Sequence, residues 1–191
     1  MTPDLSRPRA TPPYDILPAV PSFSLTSEDL ADGERMGDRF TAIHENLSPG
    51  LRWSGAPAGT RSFVVSCFDP DAPSPSGWWH WTVVDLPASA AGLPRGAGES
   101  DDGLAAPAFH VRNDASTRAW FGPYPPAGDG DHRYVFAVHA LDVDTLGLDE
   151  SASAAAVACQ VSFHALGRAL LTATYSVPGD RAPFITEESH A

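Results

Sequence analysis

Two aspartates, two histidines and one proline-rich aromatic segment are the residues of this sequence best suited to chemistry. Asp69 and Asp71 lie in DPDAP, where the apolar run RSFVVSCFD ends. His80 follows the turn-forming stretch APSPSG, inside WWHWTVVDLP, and His132 opens HRYVFAVHALD. A carboxylate beside an imidazole can orient the ring, raise its basicity, or join it in hydrogen-bonding a ligand oxygen. At the mouth of a sheet a carboxylate is costly unless it is paired or exposed, so Asp69 has the greater need of a partner. A hairpin between the two flanking runs would bring His80 close to it; the alternative for His80 is a packed histidine satisfied by one backbone group. Each proline keeps the preceding residue out of the α region, which places Asp69 and Ala72 in extended or turn backbone. Asp71 reads as a brace that hydrogen-bonds backbone amides, with Pro73 in the same scaffold. Plain Asx-turn formation is the alternative for both aspartates.

The segment FGPYPP, residues 121–126, adds a stiff loop. Pro123, Pro125 and Pro126 fix φ and lower the entropy lost on ordering, while Gly122 allows close backbone approach. With the amides of Gly122 and Tyr124 as free donors, such a loop beside one or two histidines suits a small phosphate or carboxylate. Asp69, His80 and His132 match a metal-binding facial triad only in composition, and neither a metal nor a cofactor is expected. HExxH, CxxC, Walker-type and dinucleotide glycine patterns are absent, as is the GxSxG elbow. His139 in mid-strand and His164 in a helix read as structural.

The elements that must position these residues are mostly strands. RSFVVSCFD has the continuous apolar character of a central strand, and WHWTVVDLP pairs beside it. HRYVFAVHALD alternates, with Tyr134, Phe136 and Val138 on one face and Arg133, Val135, Ala137 and His139 on the other. PSFSLTSEDL predicts a short strand, RMGDRFTAIH a second, and LLTATYSV a last one. A helix capped by Asp149 or Ser151 carries Val157, Val161, Leu166 and Leu170 as its apolar stripe. Residues 88–107 read as a long surface loop. The expected organisation is an arm over 1–21, disordered or draped on the domain, a mainly β domain over 22–177, and a fraying polar tail over 178–191.

Composition bounds the function. A chain of 191 residues with 19 Pro and 16 Gly suits one turn-rich domain rather than a helix bundle. The formal charge of −12 repels a phosphate backbone, which argues against nucleic acid and anionic membranes as partners but leaves room for a small anion in a local pocket. Cys67 and Cys159 both sit in apolar runs and are expected as buried free thiols. No stretch has transmembrane length and the N-terminus lacks an apolar signal region, so a cytoplasmic location without stable membrane insertion is the expectation.

These residues also carry a resemblance. NLSPGLRWSGAPAGTRSFVV (46–65), DPDAPSPSGWWHWTVVDLPA (69–88), ND (113–114), GPYPPAGDGDHRYVFAVHALD (122–142) and SFHALGRALLTATY (162–175) resemble the phosphatidylethanolamine-binding protein family, in its bacterial Raf-kinase-inhibitor-like branch. The resemblance implies a large antiparallel sheet packed against a smaller one, a few peripheral helices, and a pocket for phosphoryl or similar anionic groups near one end of the sheets. It places Asp69 and His80 at the pocket floor, His132 at the rim, Tyr124 and Pro125 in a wall, Trp78 against the DPDAP turn, and Asp71 as a brace. Ser116 stands where relatives often have Gly, Trp120 where they have Tyr, and Tyr124 where a small residue or Cys is common, so a narrower, more aromatic mouth is expected. The leading function is a non-enzymatic binding protein for a small phosphorylated or carboxylated ligand. The alternatives are a protein-interaction module that inhibits a kinase or protease, using the rim and the 88–107 loop, and a hydrolase or isomerase with Asp69 and His80 in proton transfer. Oligomeric state has no signature in the sequence.

Overall fold

The long apolar runs build the centre of the molecule, as their composition requires. The computed structural model describes residues 5–179. Its strands are β1 (Ser24–Thr26), β2 (Leu51–Ser54), β3 (Ser62–Asp69), β4 (Trp78–Pro87), β5 (Gly92–Leu93), β6 (Phe109–His110), β7 (His132–Leu141) and β8 (Ala165–Tyr175), with one helix, α1 (Ala154–His164), before β8. Antiparallel pairing gives a five-stranded sheet, β6-β4-β3-β7-β8, and a three-stranded sheet, β1-β2-β5. The fold is mainly β, with two antiparallel sheets and one major helix.

The larger sheet is apolar on both faces because both are covered. Phe63, Val65, Trp81, Val83, Tyr134, Phe136 and Val138 face Leu51, Trp53 and Leu93 of the smaller sheet. On the outer face, Val64, Val84 and Leu141 pack against Val157 and Val161 of α1. Two bulges interrupt β4 against β3. Phe68 is opposite Trp79 and Cys67 opposite Trp81, so His80 is an extra residue. The insertion puts the consecutive residues His80 and Trp81 on the same inner side, both near the ring of Trp120. At the second bulge Asp85 adopts a φ of 57° and its carboxylate receives the Leu146 amide.

Several sequence expectations are corrected. RMGDRFTAIH is not a strand: it forms a 3-10 turn at Asp38–Phe40, while the preceding segment lies along β8 through Gly33 N–Thr172 O, Thr174 N–Glu34 O and Met36 N–Thr174 O hydrogen bonds. That strip covers an edge strand that would otherwise be open to another chain. Residues 88–107 do more than loop over the surface, since β5 and a 3-10 turn at Asp101–Gly103 lie within them and Leu93 and Ala97 are buried. The helix is capped by Ser153, whose Oγ accepts the Ala156 amide at 3.1 Å, and it stops at His164. Leu166 and Leu170 belong to β8, where pairing with β7 from Leu141↔Ala165 to His132↔Tyr175 wins over helix propagation. Cys67 is buried and free; Cys159 is free but exposed, because Val157 and Val161 take the inward face of the helix.

The N-terminal arm drapes from residue 5 onward. Tyr14 lies under the Arg168 guanidinium at 4.6 Å and 5.5 Å from the His139 ring. Among the described residues no helix is long and apolar enough to cross a membrane.

His139 is the structural histidine that its mid-strand position implied, and it makes the fold acid-sensitive. Its Nε2 accepts a hydrogen bond from Arg168 Nε at 3.0 Å, which fixes the proton on Nδ1. Burial, reinforced by the Arg168 charge, pushes its pKa from 6.5 down to about 3. The unfolded chain therefore binds a proton at this residue below pH 6.5 that the folded chain refuses, so stability falls as pH drops from 6.5 towards 3. The share of this one residue is on the order of a few kcal/mol. Replacing it, His139→Gln, should flatten the slope of unfolding free energy against pH in that window, measured by urea denaturation; an unchanged slope would contradict the assignment.

Candidate functional site

The end of β3 delivers Asp69 into a loop that leaves it no freedom. Its Oδ1 accepts the Asp71 amide at 2.8 Å, an Asx turn that folds DPDAP back on the strand. Ser74 Oγ donates to the Gly77 carbonyl at 2.5 Å and closes the far side of the loop. Gly77 has a φ of 64°, and a Cβ there would lie 2.4 Å from Phe68 Cζ and 2.7 Å from the Asp69 carbonyl. Only glycine lets the loop press this closely on β3.

The remaining oxygen of Asp69 does not meet His80. Asp69 Oδ2 pairs with Nδ1 of His132 at 2.7 Å, and His132 Nε2 pairs with Asp129 Oδ2 at 2.9 Å. Burial works against charge on the His132 ring, but Asp69 and then Asp129 outweigh it and hold its pKa above the ordinary value. With both ring nitrogens facing carboxylates, the charged ring donates to each. Asp129 is in turn gripped by Arg7 of the N-terminal arm, through Nη1–Oδ1 at 2.7 Å and Nη2–Oδ2 at 2.8 Å. Burial alone would raise the Asp129 carboxyl; its bonds to Arg7 and His132 hold it below the usual range.

Asp71 takes the bracing role. Arg133 Nε and Nη2 each meet its carboxylate at 2.7 Å, and the Arg133 amide adds a third bond at 3.0 Å. Arg133 Nη2 also donates to the Ala10 carbonyl at 2.6 Å, so the same fork ties loop, strand and arm together.

His80 stands apart. Its Nδ1 lies 2.6 Å from the Phe121 carbonyl, which makes Nδ1 the donor and Nε2 the free acceptor of the neutral ring. Burial is the main cause of a lowered pKa, against the weaker pull of the Phe121 carbonyl and the Asp69 charge. Tyr134 meets the ring edge-on at 5.0 Å and Phe121 stacks at 6.2 Å.

Asp69, His80 and His132 line one cavity of roughly 420 Å3, with Trp78, Tyr124, Pro125, Pro126 and Pro73 in its walls. Asp71 and Gly122 do not line it. Gly122 is scaffold for a different reason than a free amide: its N–H donates to Asn46 Oδ1 at 2.8 Å, and a Cβ would come 2.0 Å from the Phe40 carbonyl. Trp120 is not at the mouth; it is buried in the core and its Nε1 donates to the Phe40 carbonyl at 3.0 Å. Ser116 has a φ of 65°, the backbone that glycine adopts most easily. Sequence reasoning missed Asp129, Arg7, Phe121 and Tyr134. Asp129 had a signal, as an acid between two glycines beside HRYVF; Arg7 had none. No group of three or more His, Cys, Asp or Glu among the described residues is placed to hold a metal.

Cutting the Asp71–Arg133 fork leaves a mostly buried guanidinium without its partner, which costs about 3 kcal/mol. Asp71→Ala should lower the unfolding free energy by that order in urea denaturation, and a loss below about 1 kcal/mol would show the fork to be dispensable.

Comparison with known proteins agrees with this architecture. The family described as phosphatidylethanolamine-binding protein matches residues 26–176. The protein YbhB of Escherichia coli (strain K12) is 45% identical over 159 residues, spanning 81% of this chain and all of that protein. YbcL of the same organism is 39% identical, over 82% of this chain and 88% of its own length. The crystal structure of E. coli YbcL, described as a new member of the mammalian PEBP family, superposes with a TM-score of 0.79 over 82% of this chain and 99% of that one. A homologue from Chlamydia trachomatis gives 0.69 at 28% identity, over 81% of this chain and 97% of its own. The chain belongs to the phosphatidylethanolamine-binding protein family.

Proposed function

We propose that this protein is a non-enzymatic binding protein whose cavity takes a small phosphate-bearing ligand or another small anion. The observation that carries the reading is a pair of buried donors. Trp78 Nε1 and the Tyr134 hydroxyl have no protein acceptor among the described residues, and both side chains line the cavity. Burial holds the Tyr134 phenol well above its usual range, so it remains a donor. A buried donor without an acceptor costs about 1–3 kcal/mol, and ligand oxygens recover that energy.

The lining also specifies a protonation state. Among the described residues no Lys or Arg lines the cavity, and Asp69 is paired with His132 rather than with the ligand. His80 offers Nε2 as an acceptor while its ring is neutral. A phosphoryl group that keeps one proton supplies oxygens to Trp78 and Tyr134 and a P–OH to His80. Transfer of that proton to His80 gives the same total charge. The complex therefore holds one proton more than the dianion and the free protein together.

The proton-transfer pair that a hydrolase or isomerase would use is not assembled, since Asp69 bonds His132 and His80 bonds the Phe121 carbonyl. This supports binding over turnover. Tyr124 lines the cavity and is 41% exposed, which offers a ring to the organic part of a ligand or to a protein partner at the rim.

Calorimetric titration with phenyl phosphate tests the reading. The second pKa of a phosphate ester is about 6, so affinity should fall as pH rises above 6, approaching tenfold per unit by pH 8. Loss of the acceptor in His80→Ala should weaken binding roughly tenfold or more at pH 6. Affinity that is unchanged between pH 6 and 8, or unaffected by His80→Ala, counts against it. Inorganic phosphate and benzoate as further probes separate phosphoryl from carboxylate preference.

A further inference from the structure

The N-terminal arm lies outside the family match. That match begins at residue 26, whereas Arg7 lies well before it. The fastenings of the arm include Arg7 on Asp129, the Ala10 carbonyl on Arg133, and Tyr14 beneath Arg168. The Ala10–Arg133 fastening reaches Asp69 through the carboxylate and then the amide of Asp71, whereas the Arg7 fastening reaches both His132 and Asp69 through side chains alone. Arg7 holds both oxygens of Asp129, Asp129 bonds His132, and His132 bonds Asp69. Arg7 Nη2 also bonds the Asp71 carbonyl, so one guanidinium joins the two loops that frame the site.

The loop bearing Asp129 needs such a fastening. Gly128 and Gly130 on either side have φ of 81° and 87°, and among the described residues the loop backbone is tied by Gly128 N to the Val177 carbonyl at 2.9 Å and by Asp129 N to the Pro126 carbonyl at 3.2 Å. Glycine flanks leave the carboxylate wide conformational freedom unless a side chain fixes it. The same turn carries Pro125 and Pro126, which wall the cavity. The side chain of Asp129 is only 4% exposed and that of Arg7 31%, which puts the fork at the surface end of the buried chain.

We propose that Arg7 is a positioning residue for the ligand cavity, acting through Asp129 on His132 and on the Pro125–Pro126 wall. The arm is thus a latch: docked, it holds the wall and the imidazole in the geometry that receives the ligand, and released, it loosens both. The proposal rests on the anion-binding reading for its consequence on affinity, but not for its consequence on His132.

The charged groups facing His132 are Asp69 from β3 and Asp129 from its own loop, with the Asp71–Arg133 pair close by and His80 across the cavity. Tyr175 of β8 is its cross-strand neighbour. The arm also meets the Asp71–Arg133 pair, through the Asp71 and Ala10 carbonyls, but among the described residues Asp129 is the one group that both bonds His132 and is gripped by the arm. If Arg7 is removed and Asp129 swings away, His132 loses one of its two carboxylates and gives up its proton at lower pH.

Two readouts on the full chain test this, using Arg7→Gln and Arg7→Lys. Titration with phenyl phosphate at pH 6 should show affinity about threefold to tenfold weaker in Arg7→Gln, the range for an effect passed through an intermediary. Arg7→Lys, which keeps the charge but not the fork, should recover part of it. Nitrogen-15 NMR of the histidine rings should show the His132 titration moved to lower pH in Arg7→Gln while the signals of His110, which bonds Asp101 away from the arm, stay in place. If the unaltered protein binds no phenyl phosphate, the anion reading fails and the NMR shift alone decides: present, it supports the latch; absent, it overturns it. Unchanged affinity together with an unchanged His132 titration would reduce the arm to packing.

Discussion

The bond between Asp69 and His132 is the interaction on which the site depends. It joins the last residue of one central strand to the first residue of its neighbour, at the end of the sheet where both chains leave for loops. Two buried groups of opposite charge satisfy each other there, and each has a second partner: the Asp71 amide for the carboxylate and Asp129 for the imidazole. A buried ion pair with its remaining lone pairs and protons filled is tolerable where a half-filled one is not. Because Asp69 is already paired, the cavity beside it can receive an anion without meeting a bare carboxylate.

Around that bond the protein sorts its ionisable groups into scaffold and lining. Asp71 and Arg133 stabilise the loop; Asp129 and Arg7 hold the far side of His132; His80 is kept neutral by burial and aimed by a single carbonyl. The β4 bulge makes this sorting compatible with a packed core. It lets His80 turn towards the cavity without moving Trp81 out of the interior, which regular alternation would have required. Trp53, Trp81, His110 and His139 also bury a ring nitrogen without a partner among the described residues, but Trp78 and Tyr134 are the two such residues that line the cavity, where a ligand can supply the acceptor.

Much of the fold was legible because burial writes itself into composition. The run that became β3 is almost continuously apolar because both its faces are covered, and those that became β4 and β7 are rich in aromatic and β-branched residues for the same reason. Short pairings such as β2, β5 and β6 left little pattern, and the helix was read too long because Leu166 and Leu170 fit its period while their backbone pairs with β7. At the site, residue types located Asp69, His80 and His132 together, yet the partner of Asp69 was misjudged. A hairpin argument favours the neighbour nearest in sequence, whereas the bond forms across 63 positions to a strand beginning on the other side of Asp69. Arg7 was invisible, since a single arginine in a proline-rich arm acquires meaning only when the arm's path is known.

The most direct test of the account is a crystal structure of the protein grown with phenyl phosphate near pH 6. The account predicts phosphoryl oxygens within about 3 Å of Trp78 Nε1, the Tyr134 hydroxyl and His80 Nε2, with the Asp69–His132 bond intact. A phosphoryl group seated elsewhere, or one that breaks that bond to reach His132, would contradict it.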